Sequence, residues 1–295
     1  MTHREFLVLS TIATAPSPLT QRALAAQTRM SVGSVNEAVS NLSDLGFIAN
    51  RRVTDEGLEA LEPYRAKRAV LIAAGFGSRM VPITLNTPKP LVRVGGKRII
   101  DTILDAVYAA GITEAYVVRG YLGEQFDQLL YKYPTIKFID NPLYNEANNI
   151  SSMVVAKDLL QNAYVFESDL LLRNPNLVTR YQDRSNYLGI PMERSDDWCF
   201  QVKNGVIKHM GIGGEGGVWQ MAGISYWTPE DGAKLADDIP ATFAMPGGKE
   251  RFWDEAPLTY FADRYKVHVR ECSLSDVTEI DSFRELKSID PSYDC

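Results

Sequence analysis

The run Ala69-Val-Leu-Ile-Ala73 is apolar from end to end and breaks at once into Ala74-Gly-Phe-Gly-Ser-Arg79. An uninterrupted apolar stretch of strand length, stopped by glycine, predicts a buried strand feeding a tight loop. Backbone N–H groups in such a loop can close around phosphates, because Gly75 and Gly77 bring no Cβ into the way. Arg79 and Lys89 supply positive charge where a triphosphate would lie. Pro82, Pro88 and Pro90 stiffen the chain around them, and Gly95-Gly-Lys97 follows.

With 295 residues the chain is long enough for one large domain and one small one. Its 45% hydrophobic and 23% charged residues are those of an ordinary soluble protein. No run approaches a membrane span, and Met1–Phe6 lacks a signal peptide's layout. Cys199, Cys272 and Cys295 form no CxxC and no disulfide framework, so a cytoplasmic location is expected. His3, His209 and His268 lie too far apart in sequence to suggest a histidine metal site. A net charge of −6 argues against general polyanion binding, so any anion site must be local.

The seam falls near residue 66, giving domains at 1–66 and 67–295. Before it, the spacing predicts helices over Glu5–Ala15, Gln21–Thr28, from Ser31 or Ser34 to Leu45, and Thr54–Leu61, with a short hairpin in Phe47–Val53. This resembles the winged helix-turn-helix of bacterial regulators. Ser31–Leu45 contains Glu37 and Asp44 but no lysine or arginine, whereas DNA binders lean on basic side chains. Asn36 and Asn41 remain as base readers, and Arg22, Arg29, Arg51 and Arg52 as phosphate contacts. Dimerisation or regulation is therefore favoured over nucleic-acid binding. After the seam, strands at Ala69–Ala73, Glu114–Arg119, Ile136–Asp140 and Ala163–Glu167 alternate with helices at Ile99–Ala110, Gly123–Tyr133 and Ser151–Leu160, as in an α/β fold. The loop is not GxGxxG, which excludes the dinucleotide fingerprint.

For a divalent metal, carboxylates at strand ends are the natural ligands. Asp169 ends the strand that begins Val165-Phe-Glu. Thr278-Glu-Ile-Asp-Ser282 reads as a strand with Glu279 and Asp281 side by side on one face, since residues i and i+2 point the same way. The other readings are a turn or cap for Asp169 and a solvated strand face for the later pair.

Loop, strand-end aspartate and terminal Glu-Ile-Asp-Ser together resemble the bacterial CTP:phosphocholine cytidylyltransferases, over about residues 67–290. The resemblance implies a Rossmann-like nucleotidyltransferase domain with a mixed central sheet, here preceded by a small, mainly helical winged-helix domain that the simplest members lack. It implies a nucleotide site of Ala73, Ala74, Gly75, Gly77, Ser78, Gly120, Tyr121, Asn149 and Ser152, the asparagine and serine nearest the pyrimidine. It places Mg²⁺ on Asp169, Glu279 and Asp281, and Arg79 and Lys89 on the phosphates. Met80 stands where leucine is commoner, a packing change. The implied reaction is in-line attack of the acceptor phosphate on the α-phosphorus of CTP, with pyrophosphate leaving.

All four tryptophans fall in the second half, with acids beside them in Asp196-Asp-Trp198 and Phe252-Trp-Asp-Glu255. Rings and a carboxylate suit a quaternary ammonium. In the family resembled, the segments matching Trp198 and Trp253-Asp254 lie near the choline end, so the resemblance implies Trp198, Tyr226, Trp253 and Asp254 as the choline site, although core packing is the plainer reading for Tyr226. Phosphocholine is the expected acceptor. The alternatives are 2-aminoethylphosphonate, phosphoethanolamine, or a DNA-binding regulator whose second domain only senses a ligand. A homodimer is compatible with either domain.

Overall fold

The computed structural model describes residues 1–294 and divides into two compact units, Met1–Ala66 with Arg180–Asp183, and Lys67–Thr179 with the chain from Arg184 onward.

The first unit contains α1 (His3–Thr14), α2 (Gln21–Thr28), α3 (Val32–Asp44), β1 (Ile48–Ala49), β2 (Arg52–Val53) and α4 (Asp55–Leu61). Hydroxyls set its helix starts: Thr2, Thr20, Ser31 and Thr54 each accept from the backbone N–H three residues on. α1 begins two residues before the sequence spacing suggests, because Thr2 and Glu5 form a reciprocal capping box. Phe6, Leu9, Val35, Leu42 and Leu61 are buried at its centre. The β1–β2 turn holds Asn50 and Arg51 at φ 51° and 63°, the left-handed pair that suits a two-residue hairpin. Arg51 donates to the Leu19 carbonyl at 2.6 Å, so one arginine of the wing is tied down.

The second unit opens with β3 (Arg68–Ala73), followed by a small hairpin of β4 (Arg93–Val94) and β5 (Lys97–Arg98). Then come α5 (Ile99–Ala109), β6 (Glu114–Arg119), β7 (Lys137–Asp140), α6 (Ile150–Ala156), β8 (Ala163–Glu167) and β9 (Leu170–Leu172). Completing it are β10 (Asn186–Lys203), β11 (Val206–Trp227), α7 (Pro229–Phe243), β12 (His268–Glu271), β13 (Val277–Glu279) and α8 (Phe283–Ile289). A seven-stranded mixed sheet runs β10-β12-β11-β8-β3-β6-β7. β3 lies parallel to both β6 and β8, and β8 antiparallel to β11. The apolar strand expected at Ala69–Ala73 is thus central, with Ala69, Val70 and Leu71 fully buried. A parallel strand buried on both faces of its sheet reads as a near-continuous apolar run.

Three expectations change. Gly123–Tyr131 is a 3₁₀ helix, burying Phe126 and Leu129 three residues apart, the period of that tighter coil. Ser151–Leu160 divides into α6 and a 3₁₀ turn at Lys157–Leu159. The strand carrying Glu279 stops there: Ser282 and Glu285 form a capping box that starts α8, so Glu279 and Asp281 do not share a strand face.

β10 and β11 form a long hairpin closed at Asn204-Gly205, both at positive φ. Its register shifts between Met192 and Trp198, and Phe200 pairs with both Met210 and Trp219, so the hairpin doubles back on itself. Gly213, Gly216 and Gly217, at φ 73° to 87°, supply that bend. Cys199 and Cys272 are buried and free; Cys295 lies outside the described residues.

Candidate active site

The glycine loop leaves the carboxyl end of β3, where open α/β sheets hold their ligands. Ala73 and Ala74 are buried and offer backbone alone. Nothing stands within 4 Å of where a Cβ on Gly75 would project, so the space above it is open. Gly77 is different: at φ +60°, its added Cβ would lie 3.0 Å from Lys89 Cβ and 3.1 Å from Thr84 Cγ2. Close approach of the loop to Lys89 therefore requires glycine. Ser78 opens the 3₁₀ turn that ends at Met80 and carries Arg79. Gly120 fits under Tyr144, and the Tyr121 N–H donates to Ala74 O at 3.1 Å, binding the second wall to the loop.

Sequence reasoning missed two rings here. Half-exposed Phe76 packs at 5.1 Å from the ring of Tyr121 and 5.4 Å from that of Tyr144. An exposed aromatic inside a glycine loop was the available signal.

Register explains the acid centre. β9 pairs antiparallel with β13 so that Glu279 faces Leu170, and the Ile280 N–H donates to Asp169 O at 3.2 Å. A segment distant in sequence thus meets the turn after β8, which Ser168 pins by donating to the Ile72 carbonyl. Oxygens of Glu167, Asp169 and Glu279 lie within 4.8 Å of one another. Asp281 is joined to that trio through Lys89, accepting from Arg79 at 2.8 Å and from Lys89 at 3.0 Å. Glu167 is the member of this trio that sequence reasoning missed. Its signal was the i, i+2 spacing with Asp169 at a strand end.

Lys89 is 8% exposed and also donates to Asp169 at 2.8 Å. Burial opposes its charge, but Asp169 and Asp281 outweigh it and hold the ammonium above its ordinary range. Burial, then the charges of Asp169 and Asp281, pushes Glu279 up to about 8. Glu167 is raised well above the carboxylate range by burial, with Asp169, Asp254 and Glu279 adding. One oxygen of Asp169, Oδ1, is buried without a hydrogen-bond partner. Crowded hard oxygens, protons retained to relieve repulsion, and an orphaned carboxylate oxygen fit a divalent cation such as Mg²⁺.

The predicted base contacts divide. Asn149 Oδ1 accepts the Trp253 N–H at 2.9 Å. Ser152 is 2% exposed and its hydroxyl accepts from Asn141, which withdraws it from the surface.

On the acceptor side two assignments are corrected. Tyr226 pairs with Tyr164 near the start of β8, at the opposite end of that strand from Asp169, and its hydroxyl donates to Asn162. Trp253 is 1% exposed, with its ring edge against Trp227 in the core. Both are large aromatics that the doubled sheet needs as packing. Trp198 does stay near the surface, 5.4 Å from the Phe252 ring. Asp254 is buried, accepts from Tyr187 at 3.2 Å, and is driven by burial up to about 7. Asp197, just before Trp198, adds its field to Glu279.

Residues 1–57 match the MarR family and residues 68–208 the nucleotidyl transferase family. The second unit's fold is that of the solved CTP:phosphocholine cytidylyltransferase of Streptococcus pneumoniae, with a TM-score of 0.70 and 28% identity over 77% of this chain and 99% of that one. The choline-phosphate cytidylyltransferase sequence of Streptococcus pneumoniae is 29% identical over 224 residues, 76% of this chain and 96% of that protein. The 2-aminoethylphosphonate cytidylyltransferase of Lancefieldella rimae is 34% identical over 229 residues, 76% of this chain and 92% of that protein. Likeness of that identity and extent makes this chain a member of the nucleotidyltransferase family, a cytidylyltransferase with a MarR-type winged helix ahead of its transfer domain.

Proposed function

We propose that the enzyme transfers CMP from CTP to 2-aminoethylphosphonate, forming a phosphonate–phosphate anhydride and releasing pyrophosphate. One observation supports this acceptor above the others: Tyr226 and Trp253, expected to box a quaternary ammonium, are spent on the core, while the remaining ring, Trp198, has the exposed carboxylates Asp196 and Asp197 beside it in the chain. A primary ammonium has three N–H donors and gains from carboxylates, where a quaternary one gains mainly from ring faces. The 34% identity with an enzyme named for that acceptor points the same way. Phosphocholine is the second reading, favoured by the half-buried edge-to-face pair of Trp198 and Phe252.

The chain's own groups do three things. The glycine loop and Arg79 receive the β- and γ-phosphates of CTP, and Lys89 turns from Asp169 and Asp281 toward the phosphate charge. Glu167, Asp169 and Glu279 would hold the metal, which when bound would supply charge neutralisation for the transfer. The acceptor needs no base, since a phosphoryl group with a second pKa of ~6 is mostly dianionic at neutral pH. Geometry and charge neutralisation thus replace acid–base chemistry.

The winged-helix unit is read as an assembly or regulatory module. The exposed face of α3 carries Glu37 and Asp44 and no basic residue, which disfavours phosphate contacts. Among the described residues no helix is long and apolar enough to cross a membrane. Free, buried Cys199 and Cys272 suit a reducing cytoplasm.

Pyrophosphate release with CTP, Mg²⁺ and one acceptor at a time decides the acceptor. A kcat/KM at least ~10-fold higher for 2-aminoethylphosphonate than for phosphocholine is expected, a difference of about 1.4 kcal/mol. The reverse order would restore phosphocholine.

A further inference from the structure

Asn149 sits where the resemblance expects a contact to the pyrimidine, with Asn148 next to it, yet the bonds of both run elsewhere. The Asn148 N–H donates to Lys249 O at 2.7 Å, and Asn148 Nδ2 to Glu250 O at 3.1 Å. Asn149 Oδ1 accepts from the Trp253 N–H at 2.9 Å. Lys249 pairs with Glu146 at 3.5 Å beside them. Four links therefore join the segment before α6 to Lys249–Trp253, a hundred residues later.

That second segment continues into Phe252, whose ring meets Trp198, and Asp254, whose charge acts on Glu167. Taking Trp198 and Phe252–Glu255 as the acceptor side, as in the proposed function, we propose that Asn149, backed by Asn148, is a positioning residue that fixes the acceptor wall rather than one that reads the base. The Trp253 backbone is buried with its residue, so no water replaces the asparagine oxygen once it is removed. Of the four links this one reaches farthest into the wall, at Trp253, and small displacements of a substrate wall are costly. The amide Nδ2 of Asn149 is the group a base reader would use, and it is separable by substitution from Oδ1.

The test uses Asn149→Ala, Asn149→Asp and Asn148→Ala in the full chain, with whichever of 2-aminoethylphosphonate and phosphocholine the wild type turns over. That choice keeps the acceptor's identity separate from the wall's support. Asn149→Asp keeps an oxygen for Trp253 and deletes the amide donor. Asn149→Ala is expected to raise the acceptor KM ~10-fold with the CTP KM within about twofold, a loss matching one buried hydrogen bond. Asn149→Asp is expected to restore most of the acceptor KM, and Asn148→Ala to act in the direction of Asn149→Ala. Hydrogen exchange supplies a readout independent of turnover: the Trp253 amide should exchange faster in Asn149→Ala and near the wild-type rate in Asn149→Asp. A raised CTP KM in both Asn149 variants with the acceptor KM unmoved would overturn the proposal, as would unchanged exchange at Trp253 in Asn149→Ala.

Discussion

Replacing Lys89 by methionine keeps the volume of its stem and deletes the charge that meets Asp169 at 2.8 Å and Asp281 at 3.0 Å. At an effective dielectric of ~20 each contact is a gross attraction of about 6 kcal/mol, largely offset by taking the ions out of water. Removing one partner of such a buried group leaves the others uncompensated, and the net cost is about 3–5 kcal/mol. For a unit of this size each kcal/mol lowers Tm by about 2–4 °C, so a fall on the order of 10 °C is expected. The loss must depend on pH. Glu279 releases its proton near 4.5 when unfolded and at about 8 when folded. Between those values the folded state holds the extra proton, so stability falls as pH rises. Without Lys89 the carboxyls climb further, which steepens that slope. The assay is thermal unfolding of wild type and Lys89→Met at about pH 6 and about pH 8.5, with and without Mg²⁺. A larger deficit at the higher pH, reduced by Mg²⁺, is the expected result. Equal deficits at both pH values, or none, would refute the electrostatic reading of this centre.

Glu167→Gln should raise the Mg²⁺ concentration needed for half-maximal turnover and lower kcat/KM by ~100-fold, the upper end of what outer partners of a metal alone cost; steady-state rates against Mg²⁺ check it. The Kd for Mg²⁺ itself should fall from about pH 6.5 to about pH 8.5, because Glu279 and Glu167 must shed protons to bind; calorimetry in two buffers would show the released protons, and a pH-independent Kd would count against the cluster. Gly120→Ala would place a Cβ 2.5 Å from Tyr144 Cβ and 2.9 Å from Ala74 O. A destabilisation of about 1–3 kcal/mol and a raised CTP KM are expected, read by denaturant melts and kinetics.

The loop, its two cations and the central strand were legible because each is local: an apolar run, two glycines and nearby charges sit within about twenty residues. Asp169 and Glu279 were visible as acids at strand ends, but their meeting depends on the β9–β13 register, which no local pattern encodes. Asp281 was assigned the metal by resemblance and because an extended Glu-Ile-Asp would align both acids. The Ser282–Glu285 capping box, itself readable in the sequence, turns the chain before that alignment, and Asp281 reaches the centre through Lys89, which it shares with Asp169. Tyr226 and Trp253 show a different failure. An aromatic beside an acid has the same local sequence whether it lines a pocket or fills a core, and the doubling-back of β10 and β11 decides which. Asn149 was placed near the nucleotide by resemblance, whereas its bond to Trp253 spans 104 residues.

The most direct test follows CTP by ³¹P NMR with Mg²⁺ and 2-aminoethylphosphonate, comparing wild type with Asp169→Asn. The account predicts that wild type converts CTP stoichiometrically to pyrophosphate and a product with a phosphorus–phosphorus coupling between phosphonate and α-phosphate, and that Asp169→Asn forms almost none. Acceptor-independent loss of CTP, or full product formation by Asp169→Asn, would contradict the placing of transfer at the Glu167–Asp169–Glu279 centre.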